Sequence, residues 1–361
     1  MGMFMNLSLS NRTKLFMKKI LFRITVLLLF QISFGQKGII INGQATHFNI
    51  QNKNDTIDFI VIDTILNSKK PFFLFCQGSQ PIPLFVKPEN EPIWMIGGGI
   101  TNFDIEEIKQ NYHLVVISMP KTPLIVKEEN LNEGYCYIPN PEKPNEFDKE
   151  YVQSDYLENY QRRANLVLKY LRKQKWADNS KLVVAGHSQG SKVASAITIS
   201  NKRVTHLGLF SPNSFGRIDQ LVRNYRKEAE TKKITWKEAD EKTNDKYQML
   251  RDAYANDSVK KDPHLLAWKS FSTPQINNWL KINIPTYLAY GTNDIASDLC
   301  DLVPIFYIQN AKNNLTFRRY ANLEHNFFEV EDGNTNYEKE NWPVVMSEFI
   351  KWTLQKEPIL K

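Results

Sequence analysis

The residues with the clearest chemical potential are a serine set between glycines, Gly186-His187-Ser188-Gln189-Gly190, and two later groups, Asp294 and His325. A serine hydroxyl is a weak nucleophile until a base removes its proton and an acid orients that base. Assembled in space, such a set attacks carbonyl carbons and transfers acyl groups. The pentapeptide alone is a weak signal, because glycine and serine are common. The surrounding elements must form a sharp turn, and the partners must follow in a usable order.

The elements around Ser188 meet the first condition. "KLVVAG" (181–186) reads as a buried strand entering the turn, and "QGSKVASAITIS" (189–200) as a helix leaving it. Gly186 and Gly190 leave room for a tight, strained turn that pushes the serine side chain beyond the sheet, where the helix N-terminus favours negative charge. Similar short apolar runs occur at "PFFLFCQGS" (71–79), "HLVVISMP" (113–120), "HLGLFSP" (206–212) and "TYLAYG" (286–291), with a weaker one at "LTFRRYA" (315–321). Such runs suit strands buried on both faces. "THFNI" and "TIDFIVID", separated by the turn-like "QNKND", predict an N-terminal hairpin. Between the runs lie amphipathic patterns. Leu157, Tyr160, Ala164, Leu168 and Leu171 recur every three or four residues, and "NWPVVMSEFIKWTLQK" closes the chain similarly. Alternation of this kind predicts an α/β fold, a mostly parallel central sheet flanked by helices.

In such a sheet the partners of an elbow serine come from loops after later strands. His47 and His113 lie too early, in or beside strands, and His187 must diverge from the serine on the turn. His206 begins a strand, and His264 falls in a charged interval. His325, in "YANLEHNFFEV", follows the last predicted strand. Asp294 follows "TYLAYG" directly, whereas Asp298 and Asp301 belong to the helix expected next. The order is Ser188, Asp294, His325.

At these positions the chain resembles the α/β-hydrolase family over roughly residues 40–355, with "GHSQG" as nucleophile elbow, "YGTND" as acid loop and "EHNFF" as histidine loop. The resemblance implies Ser188 as nucleophile, His325 as general base and Asp294 as the orienting acid. It implies oxyanion donors at the backbone of Gln189 and in the loop after "FFLFCQGS", where Ser79 is favoured. Gly97-Gly98-Gly99 is the alternative, read as a loop before a helix. No metal or organic cofactor is required. The chain departs from the family in carrying Glu324, where a glycine usually precedes the histidine; Glu324 would tune His325 or compete for it.

Residues 217–284 break the rhythm, with 24 charged residues in 68 and scattered aromatics that include Trp236 and Trp268. They are read as a helical cap insertion within a single hydrolase domain (36–361), its aromatics a candidate apolar lining toward Ser188. An insertion of this length between core strands is seldom mere linker.

The 361 residues are 42% hydrophobic and carry a formal charge of +7, but residues 1–35 hold five basic residues and no acid, so the remainder is only +2. That balance, without a basic aromatic motif, excludes nucleic acid as the expected partner. Lys18 and Lys19 precede the apolar Ile24–Ile32 and Ser33-Phe34-Gly35, the pattern of a signal peptide over 1–35. The apolar core is too short to span a bilayer. Export to the periplasm or medium follows as the expectation, with no stable membrane anchor after cleavage. Met17 makes a conventional start. Three cysteines, Cys76, Cys136 and Cys300, argue against a disulfide scaffold, with a Cys136–Cys300 bridge left open. The expected activity is hydrolysis of small-molecule carboxylic esters through an acyl-enzyme. Peptide hydrolysis on the same fold, acyl transfer and a non-catalytic binding role are the alternatives.

Overall fold

The computed structural model describes residues 38–255 and 262–355. The predicted signal segment lies outside them. The strands of the main sheet are β1 (Ile39–Ile41), β2 (Ala45–Asn52), β3 (Asp55–Val61), β4 (Lys70–Cys76), β5 (His113–Ile117), β6 (Ala177–His187), β7 (His206–Phe210), β8 (Thr286–Gly291) and β9 (Leu315–Tyr320). They lie in the order β1-β2-β3-β5-β4-β6-β7-β8-β9. The three N-terminal strands run antiparallel, ending where β3 meets β5. From β5 to β9 every pairing is parallel.

Two apolar cores explain why the central strands read as continuous hydrophobic runs. On β4, Leu74 packs into one core while Phe73 and Phe75 face the other; on β6, Val184 opposes Val183 and Ala185. The first core is covered by helices α1 (Leu157–Leu171) and α2 (Gln189–Ser200), the second by the C-terminal helix α7 (Trp342–Leu354). Alternate side chains leave opposite faces of a strand, so a sheet sandwiched by helices needs apolar residues at both parities.

Among the described residues, four helices lie between β7 and β8: α3 (Arg217–Glu230), α4 (Trp236–Tyr254), α5 (His264–Phe271) and α6 (Ile276–Trp279). Trp279 is buried in the first core, and its indole N–H donates to Ser195 Oγ at 2.9 Å, tying the insertion to α2. An antiparallel hairpin, Phe328–Glu331 with Asn334–Glu340, also forms. Its sequence is too polar to show strand alternation. Cys76, Cys136 and Cys300 are all free thiols.

Candidate active site

The parallel strands deliver Ser188, Asp294 and His325 to their carboxyl ends. In open α/β sheets this is where ligands bind, beside the point at which strand order reverses. Ser188 sits between β6 and α2 with φ 55° and ψ −122°, a left-handed backbone that side chains disfavour. Its neighbours explain how the turn is held. A Cβ on Gly186 would stand 2.1 Å from the Gly190 carbonyl oxygen, and one on Gly190 2.0 Å from that of Cys76 on β4. Only glycine fits at either position.

Asp294 follows β8 and is buried, with Oδ1 accepting the Ala296 amide at 2.9 Å. Its Oδ2 accepts from His325 Nδ1 at 2.8 Å, and His325 Nε2 lies 2.9 Å from Ser188 Oγ. With Nδ1 protonated toward Asp294, Nε2 is free to accept the serine proton. Burial pushes the imidazole pKa down, but the hydrogen bond and charge of Asp294, helped by Glu324, outweigh it and leave the pKa raised. Burial likewise works against the Asp294 carboxylate, and contact with His325 overcomes it, so its pKa is lowered. The two shifts go together: the carboxylate stays charged and makes the imidazole a stronger base. Asp298 is directed elsewhere, to Arg223 on α3, and Asp301 accepts from Tyr290 and Arg319.

Three residues near His325 have uses the sequence did not reveal. His187 lies with its ring centroid 4.9 Å from that of His325. Burial and the facing His325 push its pKa down to about 3, so it is neutral, and Nε2–H donates to the His325 carbonyl at 2.9 Å. Ser211 Oγ donates to the same carbonyl at 2.8 Å. Glu324 does not compete for the imidazole. Its Oε1 accepts the amides of Asn326 and Phe328 at 2.7 and 3.0 Å, closing the loop that carries His325. Only the position of His187 beside the serine hinted at proximity.

Ser79 and Gln189 border Ser188. Among the described residues, neither backbone amide donates to another residue. Gln189 is the first residue of α2, where an amide has no intrahelical acceptor. The glycine run forms a tight turn at Gly97–Asn102, with positive φ at all three glycines. Gly98 and Gly99 line the same groove as Ser188, so the run is a wall of the site and not a distant loop.

Two hollows meet at Ser188. The larger, about 360 Å³, has apolar walls that include Ile82, Ile96, Tyr135 and Phe328. The smaller, about 90 Å³, is polar and is lined by Lys192 of α2, Asn213, and Arg217 and Gln220 of α3. Neither tryptophan singled out in the insertion lines either hollow. Trp236 is exposed beside Arg226, and Trp268 lies under the Arg217 guanidinium, 4.9 Å from ring centroid to Cζ.

A family model described as the alpha/beta hydrolase fold matches residues 161–329, an interval that contains Ser188, Asp294 and His325. No curated protein matches the chain by sequence. Among solved structures, an esterase of Pyrococcus furiosus is 15% identical with TM-score 0.48, over 87% of this chain and 96% of that one. The acylaminoacyl peptidase of Pyrococcus horikoshii is 13% identical with TM-score 0.47, over 86% of this chain and 42% of that one. The chain has the α/β-hydrolase fold.

Proposed function

We propose that the protein is an exported serine hydrolase that cleaves carboxylic esters. The observation that carries this reading is the unbroken hydrogen-bond line from Ser188 Oγ through His325 to buried Asp294, set at the end of a strained elbow. In this mechanism His325 Nε2 takes the serine proton as Oγ attacks the ester carbonyl carbon. The carbonyl π electrons move onto oxygen, giving a tetrahedral oxyanion. The free amides of Ser79 and Gln189 are assigned as the donors to that charge, and one well-placed donor contributes about 3 kcal/mol. Collapse of the intermediate expels the alkoxide, which takes the proton from His325, and leaves an acyl-serine. Water, deprotonated by His325, then attacks the acyl carbon. Collapse of this second intermediate breaks the bond to Ser188 Oγ, which takes the proton back from His325, and releases the acid. Asp294 holds the tautomer and stabilises the transient imidazolium. The apolar hollow suits an ester's hydrocarbon portion. Export rests on the basic and apolar pattern of residues 18–35.

The test combines fluorophosphonate labelling with turnover of p-nitrophenyl esters and aminoacyl-naphthylamides. The expected outcome is labelling at Ser188 and ester turnover that falls about 10⁴- to 10⁶-fold in Ser188→Ala. Retained turnover in folded Ser188→Ala would overturn the mechanism, and preference for the naphthylamides would make the protein a peptidase.

A further inference from the structure

The small hollow beside Ser188 is built unlike the rest of the site. Lys192 lies four residues into α2 from Ser188 and is only 4% exposed. One of its three ammonium hydrogens is used, on the Phe271 carbonyl at 2.6 Å. Arg217, the first residue of α3, donates to Gln189 Oε1 at 3.1 Å and rests its flat face on Trp268. Among the described residues, neither cation has a carboxylate oxygen within ion-pair distance. The nearby acids act on them by charge from beyond contact: Asp219, whose Oδ2 pairs with Arg223 at 3.2 Å, on Lys192, and Asp155, which accepts from Tyr160 at 2.8 Å and Gln189 Nε2 at 3.4 Å, on Arg217. Asn213 Nδ2 donates to Gln220 Oε1, which turns the Gln220 amide into a further donor.

From this arrangement we infer that the hollow receives a carboxylate carried by the substrate, held between Arg217 and Lys192, so that the preferred ester bears a free acid a short distance from the bond that is cleaved. The inference rests on the reading of Ser188 as nucleophile.

Three considerations support it. Two basic groups side by side, neither in contact with a carboxylate, disfavour each other's charge, and an anion set between them would relieve that. Burial, and next the charge of Arg217, push the Lys192 pKa down to about 7, so near neutrality the amine is only partly charged and a carboxylate in the hollow would favour its ammonium form. A carboxylate is also the group whose two oxygens match a guanidinium fork. The stacking of Arg217 on Trp268 fixes that fork in the absence of an acidic partner.

The experiment measures how small molecules slow labelling of the full-length protein by a fluorophosphonate, each protein compared with itself. Glutarate at about 10 mM is expected to slow labelling of the native chain about tenfold, the occupancy expected for a dissociation constant near 1 mM. Glutaramide, the uncharged counterpart, should not slow it. In Arg217→Gln the protection by glutarate should disappear, and in Arg217→Lys it should persist in part. Equal labelling with and without glutarate, equal protection by glutaramide, or undiminished protection in Arg217→Gln overturns the inference. Protection by inorganic phosphate without protection by glutarate also overturns it, in favour of a phosphorylated substrate. The glutarate–glutaramide comparison needs no variant, so a misfolded Arg217→Gln does not rescue the idea. A native chain that resists labelling altogether removes the serine-nucleophile reading, and this inference with it.

Discussion

The two sides of Ser188 are made from different parts of the molecule. The reacting line is made by strand ends and the loops that follow them, and the apolar hollow adds the glycine turn at Gly97–Asn102, Tyr135 and Phe328. The polar hollow takes Arg217 and Gln220 from α3, the first helix of the insertion. The first side is positioned by a sheet buried on both faces, the second by helices with solvated outer surfaces. On the proposed reading, the difference separates the chemistry from the choice of substrate. A change on the sheet side should affect every substrate alike, and a change on the insertion side should affect only the charged ones.

The sharpest test on the sheet side is the acid. Asp294→Asn leaves a shape nearly unchanged but removes the charge and favours the wrong imidazole tautomer, so ester turnover should fall about 10⁴-fold. Asp298→Asn, which touches Arg223 and not His325, should stay within about threefold, the range of a surface ion pair. Steady-state kcat on a neutral p-nitrophenyl ester checks both. The reverse ranking would reassign the acid.

The next effect is smaller. Ser79→Pro deletes a single amide and should lower kcat about 10²- to 10³-fold on neutral and charged esters equally. Near-normal turnover by the folded variant would move the donor to the glycine turn. Circular dichroism confirms that the variant is folded.

pH divides the two sides without mutation. His325 acts as base only when neutral, and its pKa is raised above 6.5, so kcat/KM should climb with pH through a midpoint above that value. The same shift means that protonated His325 favours the folded state. That stability is fully present below 6.5 and is lost as pH rises through the folded pKa. For a carboxylate-bearing ester, loss of the Lys192 proton near pH 7 should bend the profile down on the alkaline side. A neutral ester should show only the rising limb. Matching profiles for the two esters would count against a charged pocket.

The smallest expected effect concerns the tryptophans. Trp268→Ala removes the surface on which Arg217 rests and should weaken glutarate protection about two- to fivefold, the size of a cation–π contact. Trp236→Ala, exposed and outside both hollows, should leave it unchanged. Equal losses in the two variants would mean that the insertion responds as a whole.

Much of this was legible because burial on both faces writes itself into sequence. β4, β5, β6, β7 and β8 announce themselves as apolar runs, and chain order then places Ser188, Asp294 and His325 at one end of the sheet. β9 was fainter for the same reason, since an edge strand with Arg318 and Arg319 exposed has only part of its length in the core. Lys192 could not be recognised. Its neighbours in sequence are a helix, and its solitude depends on Phe271 and Arg217 arriving from the insertion. Arg217 looks like any charged residue at a helix start until Trp268 is seen beneath it. The expectation of an aromatic lining failed because amphipathic patterning identifies a buried face without saying what it faces. Glu324 was read against a family habit, whereas its part in closing the histidine loop depends on amides two and four residues onward.

The contact between Gly190 and the Cys76 carbonyl has a consequence for how the molecule can vary. At that point the elbow and the exit of β4 are seated main chain against main chain, with no side chain between them to be repacked. The spacing from Ser188 to the amide of Ser79, three residues beyond Cys76, therefore inherits the stiffness of the sheet. α3 and α4 supply no atom of that seam, so they can be lengthened or exchanged over generations without altering that spacing. Such a chain can inherit its reactive centre intact while its appetite for substrates drifts.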